Sequence, residues 1–339
     1  MAQQPLTADV LAQGRDNNFN LIRMIAASAV IVSHSLPLSL GMGAIEPAHG
    51  WIAPLDLGKA AVRVFFVISG FFILQSFDRR ASIATFALAR SARIIPALLV
   101  VYAVTTTLTS LGLSFAENPF PDAVNGSLWT LYYEVVCYGV LALAGLCGLY
   151  KNGRFPAFLI AFGMVYASIQ LRILPLKLPY AYLSLPFVFG MAVYHFRRHI
   201  PLGWPVALGL TIVAIAVPTD ATWSLALGYC ALWLGATAKW LRPYNRLGDY
   251  SYGTYIFAWP VQQIIALSIP GIGPIGMMLI ALPTVWMLGV LSWHFVERPA
   301  LDAAKRWSRR SSRSDEDVIL APTLTHSTPA LATSSDEGA

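Results

Sequence analysis

Asn20-Leu-Ile-Arg23-Met-Ile-Ala-Ala-Ser-Ala-Val-Ile-Val-Ser-His34-Ser35 is apolar enough to begin a membrane span, yet it holds an arginine and a histidine. At about 100° per residue, the step from Arg23 to His34 returns to nearly the same helix face, roughly 16 Å further along the axis. Ionisable groups in a bilayer are costly and normally face a bundle interior or a wet cavity. Two readings fit the pair taken alone. Either the stripe is a polar path between the two surfaces, or Arg23 snorkels at the inner end while His34 is a packing residue.

The rest of the chain repeats the apolar pattern. Of 339 residues, 56% are hydrophobic and only 12% charged, with a mean hydropathy of +0.60. A soluble domain carries about 25% charged residues. The deficit, with apolar runs of about 20 residues, predicts an all-α, polytopic transmembrane helix bundle of about ten spans. These are centred on Asn20–Leu38, Ala60–Phe77, Ile94–Leu113, Ser127–Leu149, Phe155–Leu171, Ala181–Tyr194, Trp204–Val217, Thr222–Ala238, Tyr250–Ile269 and Ile275–Phe295. The division is a leader over 1–17, a membrane domain over 18–300, and a tail over 301–339 that is too polar to bury a core. Within the tail, Arg306, Arg309, Arg310 and Arg313 are placed to touch anionic lipid.

Charge sets the expected orientation. Arg79, Arg80, Arg90, Arg93, Lys151, Arg154, Arg197, Arg198, Lys239, Arg242 and Arg246 fall in one set of connectors. The opposite set holds Glu46, Asp56, Glu117, Asp122 and Asp220, with Lys177 as a basic exception. The positive-inside rule puts both termini in the cytoplasm. It also accounts for the formal charge of +6 without nucleic acid. The polar segment Met1–Asn20 lacks the form of a cleavable signal. Cys137, Cys147 and Cys230 lie in apolar runs without metal-ligand spacing and read as packing residues, so no metal is expected.

Three groups are candidates for chemistry, and a fourth stretch reads as structural. His34, in the expected outer half, has an imidazole suited to general-base or acyl-carrier work. Glu134, in Ser127-Leu-Trp-Thr-Leu-Tyr-Tyr-Glu134, is expected about 10 Å below the outer end, at a depth similar to that of His34. A buried carboxylate needs a partner, and a histidine or arginine at that level, such as His34, or else Arg63, qualifies; a purely structural Arg63–Glu134 pair is the plain alternative. Arg90 and Arg93 share a face if helical and could clamp phosphate, since arginine grips oxyanions through two parallel bonds. Their plain alternative is topology signalling. Around Trp259-Pro260, a proline kink and a belt of interfacial tyrosines suffice.

Taken together, six stretches resemble the acyltransferase-3 family of membrane proteins, which includes O-antigen, exopolysaccharide and Nod-factor acetylases. They are Arg23-x10-His34; Val64-Phe-Phe-Val-Ile-Ser69-Gly70-Phe71; Arg90-x-x-Arg93 before Pro96; Ser127-Leu-Trp129-x4-Glu134; Leu247-Gly-x-Tyr250-Ser-Tyr-x-x-Tyr255; and Phe295-Val-Glu297-Arg-Pro299. The resemblance covers roughly 18–299. It implies that His34 is essential for acyl transfer with support from Arg23, and that Arg90 and Arg93 engage cytosolic acyl-CoA, acetyl-CoA above all. It further implies a glycan or lipid-linked saccharide acceptor and residence in the bacterial inner membrane. Two positions depart from the pattern. Ala258 stands where many relatives have a histidine, and Arg63 where many have an acidic or neutral residue. The competing class is a transporter or flippase of a lipid-linked sugar that performs no acyl chemistry.

Overall fold

The computed structural model describes residues 6–13, 17–79, 82–151 and 153–308. Arg15, Asp16, Arg80, Arg309, Arg310, Arg313 and the tail from 309 onward lie outside the described residues. The described chain is helical, and each expected apolar segment is one helix. A short α1 (Asp9–Gln13) precedes α2 (Phe19–Leu40); α3 (His49–Ile52) lies in the connection to α4 (Leu57–Asp78). Then come α5 (Ile83–Ser110), α6 (Leu128–Leu146), α7 (Phe155–Gln170), α8 (Pro179–His195), α9 (Trp204–Ala216) and α10 (Asp220–Thr237). A 3₁₀ turn at Lys239–Arg246 leads to α11 (Ser251–Ser268) and α12 (Pro274–Ser292). After a π turn at Trp293–Glu297 the helix runs on to Ser308, through the 300/301 boundary. Among the described residues, five helices are long and apolar enough to cross a membrane: α2, α4, α5, α6 and α12 with its extension.

Helix α4 is the central post, and its Arg63, Phe66, Val67, Ile68 and Phe71 are all buried. It packs on α8 through glycines. A Cβ on Gly70 would stand 1.9 Å from the Phe187 carbonyl oxygen, and one on Gly190 would stand 2.1 Å from that of Val67. Small residues let two backbones approach this closely where lipid provides no hydrophobic drive between helices.

The leader is not merely a polar lead-in. Leu11 and Ala12 are buried, Gln75 donates to the Ala12 carbonyl at 3.0 Å, and Arg197 pairs with Asp9 at 3.0 Å. These contacts gather the start of α2 and the ends of α4 and α8 at one end of the bundle. The many arginines there make it the basic end. The opposite, acidic end holds the α2–α4 connection with Glu46 and Asp56, although Arg172 joins Lys177 in the α7–α8 connection.

The connection between α5 and α6 decides the depth of everything after it. Residues 111–127 carry no long helix and run down against α11. Asn118 donates to the Gln263 carbonyl at 2.9 Å, and Gln263 donates to the Phe120 carbonyl at 2.8 Å. Further down, Trp259 donates to the Ala123 carbonyl at 2.6 Å and Asn125 to the Ile256 carbonyl at 3.0 Å. Tyr255 closes the series on the Ser127 carbonyl at 3.1 Å. Non-helical backbone survives at membrane depth only where protein groups satisfy it, and here α11 supplies them. From Gln263 to Tyr255 the segment descends about 12 Å at 1.5 Å per residue, so α6 begins inside the bundle.

Candidate active site

The descent of residues 111–127 corrects the expected position of Glu134. Counting inward from Ser127 assumed that α6 starts at the membrane surface. It starts instead at the level of Tyr255, one turn into α11, which carries Glu134 toward the basic end. No hydrogen bond joins Glu134 to His34 among the described residues. Glu134 accepts at Oε1 from Ser69 at 2.8 Å and from Tyr138.

The alternative Arg63–Glu134 pair does not form among the described residues either. Arg63 grips Asp220 at two points, Nη2 to Oδ2 at 2.6 Å and Nε to Oδ1 at 3.3 Å, and lies 5.8 Å from the Tyr182 ring centre. Its side chain is 3% exposed, so the guanidinium is neutralised well inside the bundle. The sequence placed Asp220 in a connector. Asp220 begins α10, and that helix packs on α4, which brings the carboxylate to Arg63.

Glu134 faces a cavity of about 750 Å³ at the basic end, formed by α2, α4, α5, α6 and the start of α11. This lies within the range of small-molecule sites, roughly 300–1,000 Å³. Arg23, Arg79, Arg90 and Arg93 line it, against the carboxylates Glu134 and Asp249. The excess of positive charge gives the chamber a field suited to a polyanion. Ser82 begins α5, accepting from the Thr85 amide at 3.2 Å, so the helix extends well before Ile94. Arg90 and Arg93 therefore stand on continuous helix and share a face, as their spacing predicts.

Arg93 is held rather than loose. Its Nη2 donates to Asp249 Oδ2 at 2.6 Å and its Nη1 to Glu297 Oε2 at 3.0 Å. Its guanidinium carbon lies 5.6 Å from the Tyr252 ring centre and 5.8 Å from that of Trp293. Arg23 joins the cluster through Asp249 at 3.2 Å. Burial would raise the Asp249 carboxyl, but Arg93 and Arg23 outweigh it and hold the group below its ordinary range. Glu297 is fully buried, with Ser292 donating at 2.8 Å. Asp249 and Glu297 are the site residues that reasoning on single side chains missed. Both sit inside quoted motifs, beside Tyr250 and before Arg298, where two acids close in sequence to helix ends signal an ion cluster.

His34 lies on the same helix as Arg23, outside the cavity wall. Its ring meets Trp259 edge to face, centroids 4.9 Å apart. Its Nδ1 is buried and makes no hydrogen bond to the described residues. Tyr255 lines the cavity, and Trp259 is one turn further along α11. One helical turn, about 6 Å, thus separates the chamber's ceiling from the residue that packs on the imidazole. The position of Ala258 is fully buried, directly before that tryptophan.

Apolar helices of spanning length around a charged internal chamber define an integral membrane protein. Residues 16–294 match the acyltransferase domain that defines the acyltransferase-3 family. The chain is 30% identical to the O-acetyl transferase of Shigella phage Sf6, over 88% of this chain and 98% of the phage protein. It is 27% identical to Nodulation protein 10 of Rhizobium leguminosarum bv. viciae, over 86% and 94% of the two chains. It is 28% identical to the exopolysaccharide production protein ExoZ of Rhizobium meliloti (strain 1021), over 72% and 90%. No solved structure shows a significant match. The chain belongs to the acyltransferase-3 family and is a membrane acyltransferase.

Proposed function

We propose that the protein moves an acyl group, acetyl in the first instance, from cytosolic acyl-CoA to a hydroxyl of an envelope or exported glycan in the bacterial inner membrane. The observation that carries this reading is the chamber of about 750 Å³ with four lining arginines and an orphaned imidazole nitrogen beyond its ceiling. The names of the relatives, an O-acetyl transferase and an exopolysaccharide protein, support the choice of acyl group and acceptor.

In this reading the basic end faces the cytoplasm, as the positive-inside rule requires. The donor's phosphates lie at Arg90 and Arg93, with Asp249 and Glu297 bracing Arg93 and Arg23 paired to the same Asp249. The pantetheine arm rises past Glu134, whose Oε1 is occupied by Ser69 and Tyr138 and whose other oxygen is left for the arm's amide N–H groups. The thioester then passes the level of Tyr255 and reaches His34. There the acyl C–S bond breaks, a C–O bond forms to the acceptor oxygen, and the hydroxyl proton passes to His34. Alternatively the imidazole takes the acyl group first and yields it to the acceptor. Both routes release CoA as a thiolate that is then protonated.

The test uses purified protein in detergent, acetyl-CoA, and surface polysaccharide from the host cell. Expected is thiol release that depends on polysaccharide and is abolished in His34→Ala. Wild-type protein that binds polysaccharide but releases no thiol would overturn the reading in favour of a flippase.

A further inference from the structure

The acidic end carries a second, smaller cavity of about 330 Å³, bounded by the end of α2 and the loop that follows it. Ser33, Pro37, Glu46, His49 and Asp56 line it. Ser33 is the neighbour of His34 in the chain, so the cavity wall and the orphaned imidazole share one turn of α2.

The polar groups of this cavity have one chemical sense. Glu46 is only 8% exposed, and both of its hydrogen bonds fall on Oε2, from the Leu57 amide at 2.6 Å and the Ser33 hydroxyl at 3.4 Å. Its Oε1 is left to the cavity as an acceptor. His49 donates from Nδ1 to the Leu55 carbonyl at 2.9 Å, so in the neutral ring Nε2 is the acceptor. Asp56 is held by the Lys59 amide at 2.6 Å and the Lys59 ammonium at 2.7 Å, and its oxygens keep acceptor capacity. A cavity that presents acceptors fits a ligand that brings donors.

Acceptors suit a metal ion, and they suit the hydroxyl donors of a polyol. Among the described residues no three His, Cys, Asp or Glu side chains group closely enough to share a metal ion. Acceptors spread along the cavity, without three of them grouped at one point, suit the spaced hydroxyls of a saccharide. We infer that the Glu46–His49–Asp56 cavity is the acceptor subsite, binding hydroxyls of a saccharide and presenting one of them to His34. This rests on the acyltransfer reading above, and it puts donor and acceptor at opposite ends of the bundle.

The test compares wild type with Glu46→Gln, His49→Gln and Asp56→Asn. Each variant keeps a group able to make the structural bond that the original makes. Fluorescein-labelled surface polysaccharide from the host cell is the binding probe, read by thermophoresis without turnover. Acetyl-CoA binding by the same samples reports that the fold is intact. Expected is polysaccharide binding weakened at least tenfold in Glu46→Gln and His49→Gln, with acetyl-CoA affinity within twofold of wild type. In turnover, the KM for polysaccharide should rise by the same factor while kcat moves less than twofold. Variants that bind polysaccharide as wild type does would overturn the subsite and leave the acyltransfer reading standing. Binding lost in the variants, with a wild type that transfers nothing, would leave the subsite standing and overturn that reading. Binding abolished by a chelator and restored by calcium would mark a cation site and overturn the proposal.

Discussion

Arg93 and Asp249 stand 2.6 Å apart, and the same guanidinium reaches Glu297 at 3.0 Å with its other nitrogen. A planar fork that spans two carboxylates cannot be replaced by the single point charge of lysine. Arg93→Lys should therefore lose one charge-assisted bond, about 1.5–3 kcal/mol, and melt earlier as well as bind donor more weakly. Arg90→Lys should raise the donor KM about ten- to a hundredfold, with kcat little changed. Acetyl-CoA titration and thermal unfolding of both variants check this. Equal donor affinity in wild type and Arg90→Lys would reduce that arginine to a topology signal.

His34 is expected to matter for chemistry and not for the fold. Its packing on Trp259 leaves Nδ1 without a partner among the described residues, and such an orphan costs about 1–3 kcal/mol, a cost that a functional role accounts for. His34→Ala should unfold within a few degrees of wild type, bind acetyl-CoA normally, and lose transfer by at least a thousandfold. Single-turnover reactions with labelled acetyl-CoA also separate the two routes, because an acyl-imidazole would label wild type and not the variant.

Glu134 is separated from His34 by the depth at which α6 begins, so its variants should report on the donor. Glu134→Gln still accepts from Ser69 and Tyr138 through its carbonyl oxygen, and then turns an NH₂ toward the chamber. That donor would oppose the amide N–H groups of pantetheine. Competition by pantetheine should weaken about tenfold, whereas competition by adenosine 3′,5′-bisphosphate should not change. Arg90→Lys should give the reverse pattern. Equal inhibition constants in Glu134→Gln and wild type would leave Glu134 a wall residue.

The helices were legible because apolar runs and basic connectors are long-range averages that single side chains do not disturb. Arg90 and Arg93 on one face followed from spacing alone. The depth of Glu134 was not legible, because the 111–127 segment contains Pro119, Pro121 and Gly126 and looks like an ordinary outer loop. Its descent depends on Asn118, Asn125, Trp259 and Gln263 meeting across two distant stretches, and no periodicity announces that pairing. The Arg63–Asp220 bridge was hidden for the same reason, since 157 residues separate its partners. Asp249 and Glu297 stood in recognised motifs, but their common partner Arg93 became visible only once α11 and the π turn after α12 met α5.

Arg63 and Asp220 make a structural prediction. Asp220→Ala would leave a guanidinium with a 3% exposed side chain uncompensated inside the bundle. Breaking a buried pair in this way costs about 3–5 kcal/mol. The variant should express poorly or melt far earlier, and whatever fraction folds should show a near-normal KM for donor. The double variant Arg63→Leu/Asp220→Ala should recover much of the loss, because removing both charges removes the unpaired one. A single variant as stable as wild type would show that Arg63 is neutralised by something other than Asp220.

Asp249 predicts the direction of the acid response. The groups facing it are Arg93 from α5, Arg23 from α2, and Ser251 from the start of α11, with Glu297 sharing Arg93. Burial acts to raise its pKa, but Arg93 first and Arg23 second lower it below the value in the unfolded chain. A depressed carboxylate binds protons more weakly in the fold than in the unfolded state. Its stabilising contribution is therefore complete above the unfolded pKa and is lost as pH falls through the folded one. Between neutral pH and about pH 5 the contribution should be flat, because the ordinary aspartate pKa is about 3.9. Below that, the melting temperature of the detergent-solubilised protein should fall, with the chamber losing its brace on Arg93. Asp249→Asn should be less stable than wild type at pH 7 and should approach it as the pH drops toward 3. The measurement is thermal unfolding of both proteins from pH 7 to pH 3. A gap between them that stays constant across that range would mean that the charge of Asp249 contributes nothing, and that its hydrogen bonds to Ser251 alone hold the loop before α11.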